Sequence, residues 1–431
     1  MSDIKQKLES LLTKEGLMTG AQWRRKIEDL ERRRAEGEFE IDKVVAGTLV
    51  GDDESGFYLV RTDLPLDTRH GSVPLGAITD TIAEQIAFSA CDADLEQFDA
   101  SRAIFIDAET TGLAGGTGTV AFLVGVGYLT EDVFRLDQCF MRDFDDEEPM
   151  LEFLDDLFQG RDAVVSFNGK SFDLPLLRTR FIQNRRRFPL ENATHFDLLH
   201  AARRFWKLRL QDCSLGNIEQ HVLGIRRHGD VPSAEIPQIW LDYLRTGDAR
   251  KLDRVFYHHR MDVLSLVALT AWLSRTLNPA DDQEFQYTQD RLSLIRLHFR
   301  HRRYGDVAEL GRSMLESEAE AAFRCECLQL VGFAHKRLGA WHDMEEAFRL
   351  LLQESPRNLV ARLELAKLYE HRLRDLLAAE RLCEETVQLL TTRSALHGDL
   401  SVDDPHLDAF AHRLDRIRGK LSRARPRSDE E

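Results

Sequence analysis

The chain is poor in the residues that would cross-link or anchor it. Its six cysteines, Cys91, Cys139, Cys213, Cys325, Cys327 and Cys383, include no Cys-x-x-Cys pair. No second pair or histidine cluster completes a zinc site around Cys325 and Cys327, so reduced thiols packed as small apolar groups are expected. No apolar run approaches the roughly 20 residues needed to span a bilayer, and the start, Met-Ser-Asp-Ile-Lys-Gln-Lys-Leu-Glu, has no apolar signal core. A cytoplasmic protein without membrane contact is the expectation. Positive charge is also scarce: 58 Lys and Arg stand against 74 Asp and Glu, a net charge of −16 that excludes indiscriminate electrostatic binding to nucleic acid. Basic residues are concentrated locally at 178–209, where Arg178, Arg180, Arg185, Arg186, Arg187, Arg203, Arg204, Lys207 and Arg209 interleave with Phe181, Phe188, Phe205 and Trp206. In an acidic chain this is where phosphates are expected; a solvated helix face over core aromatics is the plainer alternative.

With 431 residues and a 43% hydrophobic share, the chain is globular and long enough for two or three domains. Residues 1–45 carry helical spacing, in Leu8, Leu11 and Leu12 and again in Trp23, Ile27 and Leu30. Residues 46–100 form a hairpin-containing extension, with Thr48-Leu49-Val50 and Gly56-Phe57-Tyr58-Leu59-Val60 flanking a polar turn. Arg69-His70-Gly71 reads as a further polar turn.

The chemistry concentrates at 101–278. Ile104-Phe105-Ile106 is a buried strand, and Asp107 and Glu109 follow at its end before Thr110-Thr111-Gly112. Residues i and i+2 of a strand share a face, so the two carboxylates point the same way, and a divalent cation removes their repulsion most simply. Two more strands follow at Val120–Tyr128 and Val133–Met141. The Gly115-Gly116-Thr117-Gly118 turn between strands lacks the Lys-Ser/Thr of a phosphate loop and serves as a connection. Asp145, Asp146, Glu147 and Glu148 open a helix. A strand at Ala163–Phe167 then leads through Asn168-Gly169 into a helix capped by Ser171, with Asp173 in its first turn. His195, Asp197 and His200 could be mistaken for a zinc site; Asp197 reads as supporting or structural. A long helix spans Asp248 to Arg275, and on it His258 and Asp262 share a face.

Past the Asn278-Pro279-Ala280-Asp281-Asp282 linker, an offset of 34 places Gly305 with Gly339, Gly332 with Ala366 and Met344 with Ala378. That is the period of tetratricopeptide helix pairs, expected over 288–395 and offering a helical surface to a protein or peptide partner. Residues 396–431 read as a polar tail.

Taken together, Phe-Ile-Asp-Ala-Glu-Thr-Thr-Gly-Leu (105–113), Ser-Phe-Asn-Gly-Lys-Ser-Phe-Asp-Leu-Pro-Leu-Leu (166–177), Cys-Ser-Leu-Gly-Asn-Ile-Glu (213–219) and Asp-Val-Leu-Ser-Leu (262–266) make the chain resemble the DEDD superfamily of 3′-to-5′ exonucleases. Within it the chain is similar to the YprB-type ribonuclease-H-like exonucleases that carry tetratricopeptide repeats. The resemblance implies an α/β ribonuclease-H-like domain, a mixed central sheet flanked by helices, followed by an all-α repeat domain. It implies two Mg²⁺ or Mn²⁺ ions held by Asp107, Glu109, Asp173 and Asp262, with His258 orienting or deprotonating water. The substrate implied is the 3′ end of single-stranded DNA or RNA. Family members carry Tyr-x-x-x-Asp or His-x-x-x-x-Asp in the last motif, whereas here His258 stands at i−4 and Tyr257 at i−5. On a helix those positions lie about 40° and about 140° from Asp262, which favours His258. A module that binds nucleic acid without cleaving it is the competing reading.

Overall fold

The computed structural model describes residues 37–52, 55–112, 118–277, 286–316, 320–397 and 405–424, together with positions 25, 28, 29, 32 and 33. The helices expected within 1–36, most of the Gly-rich turn and the 278–282 linker lie outside the described residues. The chain divides into two compact units, Met1–Arg203 with Asp212–Asp282, and Arg204–Gln211 with Gln283–Glu431.

The first unit is built on a seven-stranded mixed sheet. Its strands are β1 (Thr48–Gly51), β2 (Gly56–Pro65), β5 (Ala103–Thr110), β6 (Ala121–Leu129), β7 (Val133–Phe140), β8 (Ala163–Ser166) and β9 (Thr194–Asp197), in the order β1-β2-β7-β6-β5-β8-β9. Neighbours from β1 to β5 are antiparallel, while β5-β8 and β8-β9 are parallel. The hairpin expected as an extension is therefore part of the central sheet. Crossed charges fix its register: Arg61 grips Asp137 at 2.6 and 2.7 Å, and Arg135 grips Asp63 at 2.6 and 2.8 Å. Strands β3 (Arg69–His70) and β4 (Val73–Pro74) form a separate ribbon. The turn expected there is more than polar punctuation, because His70 is buried and bonds Ser265 Oγ at 2.7 Å.

The helices of this unit are α1 (Ile41–Val44), α2 (Ala83–Ala90), α3 (Glu147–Phe158), α4 (Asp173–Gln183), α6 (Leu215–Ile218, continuing as a π-turn over Glu219–Leu223), α7 (Ile236–Thr246) and α8 (Leu252–Thr276), while α5 (Leu198–Leu210) passes from the first unit to the second at Arg204. Ile104, Ile106, Phe122, Val124, Met150, Leu154, Leu177, Phe181 and Trp240 share one apolar core, in which Phe122 stacks on Trp240 at 4.8 Å. On β6, Gly125 and Gly127 alternate with Val124 and Val126, and their side of the strand faces α8. A Cβ on Gly125 would lie 2.4 Å from His259 Cε1, and one on Gly127 would lie 2.9 Å from Val263 Cγ1. Their missing side chains let α8 settle against the strand.

The second unit is all-helical: α9 (Thr288–Arg300), α10 (Tyr304–Glu316), α11 (Ala321–Leu338), α12 (Trp341–Glu354), α13 (Leu359–Leu368), α14 (Leu376–His397) and α15 (Pro405–Ala424). Helix follows helix in short-looped succession, and Gly332 admits the Phe348 ring where a Cβ would lie 2.8 Å from Cζ. The polar tail expected over 396–431 is corrected by α15. Its overall charge hid an apolar stripe, and Phe410, Leu414 and Ile417 are buried in the core of this unit. Glu370, fully buried, receives Arg413, Arg416 and Lys420 of α15 at 2.5, 2.6 and 2.7 Å.

Candidate metal centre

Strand β5 presents its acids as its period requires. Asp107 lies opposite Gly125 and Glu109 opposite Leu123, with a register shift between Glu109 and Thr110 where the strand leaves the sheet. Asp173 is the first residue of α4. The expected Ser171 cap is absent; Phe172 occupies the cap position without a side-chain hydrogen bond. The preceding turn is set by Asn168, with φ of 70°, and by Asp197. The buried Asp197 carboxylate accepts the backbone N–H groups of Asn168, Lys170 and Leu199 at 2.8, 3.1 and 3.1 Å. His195 Nε2 meets Ser166 Oγ at 2.7 Å, so neither residue is directed to a zinc ion.

Helix α8 contributes three residues. His258 Nε2 lies 3.2 Å from Asp262 Oδ2 and 3.8 Å from Glu109 Oε1, while its Nδ1 lies 2.8 Å from Asp230 Oδ1. Tyr257 turns away, its ring 5.9 Å from the Arg260 guanidinium. His259, which sequence reasoning passed over, is fully buried and reaches β5: Nε2 lies 3.1 Å from the Asp107 carbonyl oxygen and 3.7 Å from Asp107 Oδ2. Its Nδ1 meets Gln138 Nε2 at 3.0 Å. With Gln138 donating, Nε2 carries the proton and donates to Asp107.

Electrostatics bind these acids into one cluster. Burial, then the charges of Asp262, Asp173 and Glu109, push the Asp107 carboxyl well above its usual range. Burial and Asp262 raise Glu109 to about 7, and burial raises Asp173 to about 7, with Asp197 and Asp262 adding to it. Asp262 moves the other way: burial opposes its charge, but His258 and Arg227 outweigh burial and lower it. Burial likewise opposes charge on His258, and Asp262, Glu109 and Asp230 overcome this to raise it to about 9. Glu109, His258 and Asp262 offer ligand atoms that all lie within 4.8 Å of one another, the single such group among the described residues. Hard oxygen donors with one imidazole, crowded until their charges repel, fit a divalent cation.

Sequence reasoning also missed Arg227. This side chain, 11% exposed, contacts Glu219, Asp230 and Asp262. No helical or strand spacing links residues 219, 227, 230 and 262, so only the fold reveals the network. A cleft of about 370 Å³ opens beside it, lined by Ser214, Gly216, Arg227, Ser233, His258 and Asp262 among others. Four of the nine basic residues in the 178–209 stretch pair with acids: Arg178 with Glu191, Arg180 with Glu147, Arg186 with Glu152 and Asp155, and Arg209 with Asp290.

The acid-bearing strand β5, with β6 antiparallel on one side and β8 parallel on the other, is crossed by the acid-bearing helix α8. Residues 104–274 match the RNase_H superfamily. The chain is also similar to the uncharacterised protein YprB of Bacillus subtilis (strain 168), 28% identical over 345 residues that span 78% of this chain and 81% of that protein. A ribonuclease-H-superfamily domain implies a nucleic-acid substrate, suggests a nuclease and is typically served by divalent metals. No described helix is long and apolar enough to cross a membrane.

Proposed function

We propose that the protein is a metal-dependent 3′-to-5′ exonuclease acting on single-stranded nucleic acid. What supports this reading is that Glu109, His258 and Asp262 bring ligand atoms within 4.8 Å of one another, and that the Asp107 and Asp173 carboxyls both feel the charge of Asp262. In this reading Asp107, Glu109, Asp173 and Asp262 hold two Mg²⁺ or Mn²⁺ ions. When bound, such ions stabilise the charge that develops on a phosphodiester during hydrolysis. Asp230 holds His258 through Nδ1, which leaves Nε2 to take a proton from water once the charge of Glu109 and Asp262 is offset. Phe172, 49% exposed and adjacent to Asp173, offers a face on which a terminal base stacks. The helix pairs of the second unit are read as tetratricopeptide-like repeats for a protein or peptide partner.

Linear and covalently closed single-stranded DNA and RNA, incubated with Mn²⁺ or Mg²⁺, test this reading. Loss of a linear strand with sparing of the circle is expected. Cutting of the circle would overturn the exonuclease assignment, and survival of both would favour the silent binding module.

A further inference from the structure

Arg227 is a permanent cation already resident in this acid cluster. Its Nε and Nη2 grip the two Glu219 oxygens at 2.7 and 2.5 Å, and Nη2 also contacts Asp262 Oδ1. Its Nη1 lies 3.3 Å from Asp230 Oδ2 and 3.3 Å from His258 Nδ1. The anchor beneath it is firm. Glu219 is 1% exposed and accepts from Ser265 Oγ at 2.5 Å, and Ser265 in turn meets His70 at 2.7 Å.

Two consequences follow from this geometry. Asp262, a ligand in the proposed metal centre, has Oδ1 engaged by a guanidinium and Oδ2 by an imidazole, so an ion must compete for it. Arg227 can nevertheless surrender Asp262 cheaply, because Glu219 and Asp230 keep it paired when it does. We infer that Arg227 is a positioning residue that substitutes for divalent charge at Asp262 and exchanges that carboxylate with the incoming ion, so that it sets the affinity of the site. This inference rests on the metal-centre reading above.

The test compares wild type with Arg227→Gln, and with Glu219→Gln/Arg227→Gln, which removes the buried pair together and avoids leaving Glu219 uncompensated. Mn²⁺ alone is titrated calorimetrically, and melting is followed in EDTA and in saturating Mn²⁺. At least a fivefold tighter Mn²⁺ dissociation constant is expected in both variants, with a larger Mn²⁺-induced rise in Tm than wild type shows. Mn²⁺ binding by the variants but not by wild type would support the inference equally. Wild-type binding that is unchanged or weakened in both variants would overturn the role of Arg227 and leave the metal centre standing. No Mn²⁺ binding by any of the three would overturn both.

Discussion

At the residue scale, burial and mutual repulsion place the Asp107, Glu109 and Asp173 carboxyls under electrostatic load. Replacing Asp107 by Asn removes one of the repelling charges, so the variant should melt higher than wild type in EDTA. It should also lose most of the Mn²⁺-induced gain in Tm, a comparison made by calorimetry or thermal shift. A lower Tm in EDTA would contradict the load. His258 adds a pH dependence. Its proton leaves near 6.5 in the unfolded chain and near 9 in the fold, so the native state binds more protons between those values. Stability from this group is complete below 6.5 and lost as pH rises through 9. His70, His195 and His259, held near 4 in the fold, oppose this only at the lower edge of the window, where the unfolded chain still keeps part of their protons. Between about pH 7.5 and 9, where the unfolded histidines are deprotonated, metal-free wild type should therefore lose stability in urea unfolding, and His258→Gln should lose less. Whereas the grouping of these side chains with Asp173 came only from the family resemblance, the faces shared by Asp107 with Glu109 and by His258 with Asp262 were legible from strand and helix spacing. Arg227 and His259 were not, since their partners lie on other elements.

At the scale of elements, the site depends on how closely α8 lies on β6 and how firmly the 168–170 turn is held. A Cβ at Gly125 would collide with the His259 ring, so Gly125→Ala should cost about 1–3 kcal/mol in urea unfolding and shift His259 from Asp107. Asp197→Ala leaves three backbone N–H groups without their acceptor and should cost about 3 kcal/mol. Because that turn delivers Asp173, the variant's kcat should fall more than its KM rises; an unchanged kcat would separate the turn from catalysis. The hairpin β1-β2 was visible in sequence as a hairpin, but its place in the central sheet was not. Its partner is β7, and the Arg61–Asp137 and Arg135–Asp63 pairs span more than 70 residues.

At the scale of the whole molecule, an acid-bearing α/β unit and an all-helical unit share one chain. The fold class was expected from the family resemblance of the first half and from the 34-residue offset beyond the linker. The end of the chain was misread: its charge is high, yet α15 is fastened by three cations on one buried carboxylate. Glu370→Ala strands those cations and should cost about 3 kcal/mol, seen as a lowered melting transition of the helical unit. The central claim is tested most directly with 3′- and 5′-end-labelled single-stranded DNA and RNA, digested with Mn²⁺ or Mg²⁺ by wild type and by Asp107→Ala. The account predicts stepwise loss from the 3′ end, abolished by EDTA and by the substitution. Shortening from the 5′ end, or 3′ activity indifferent to Asp107, would contradict it.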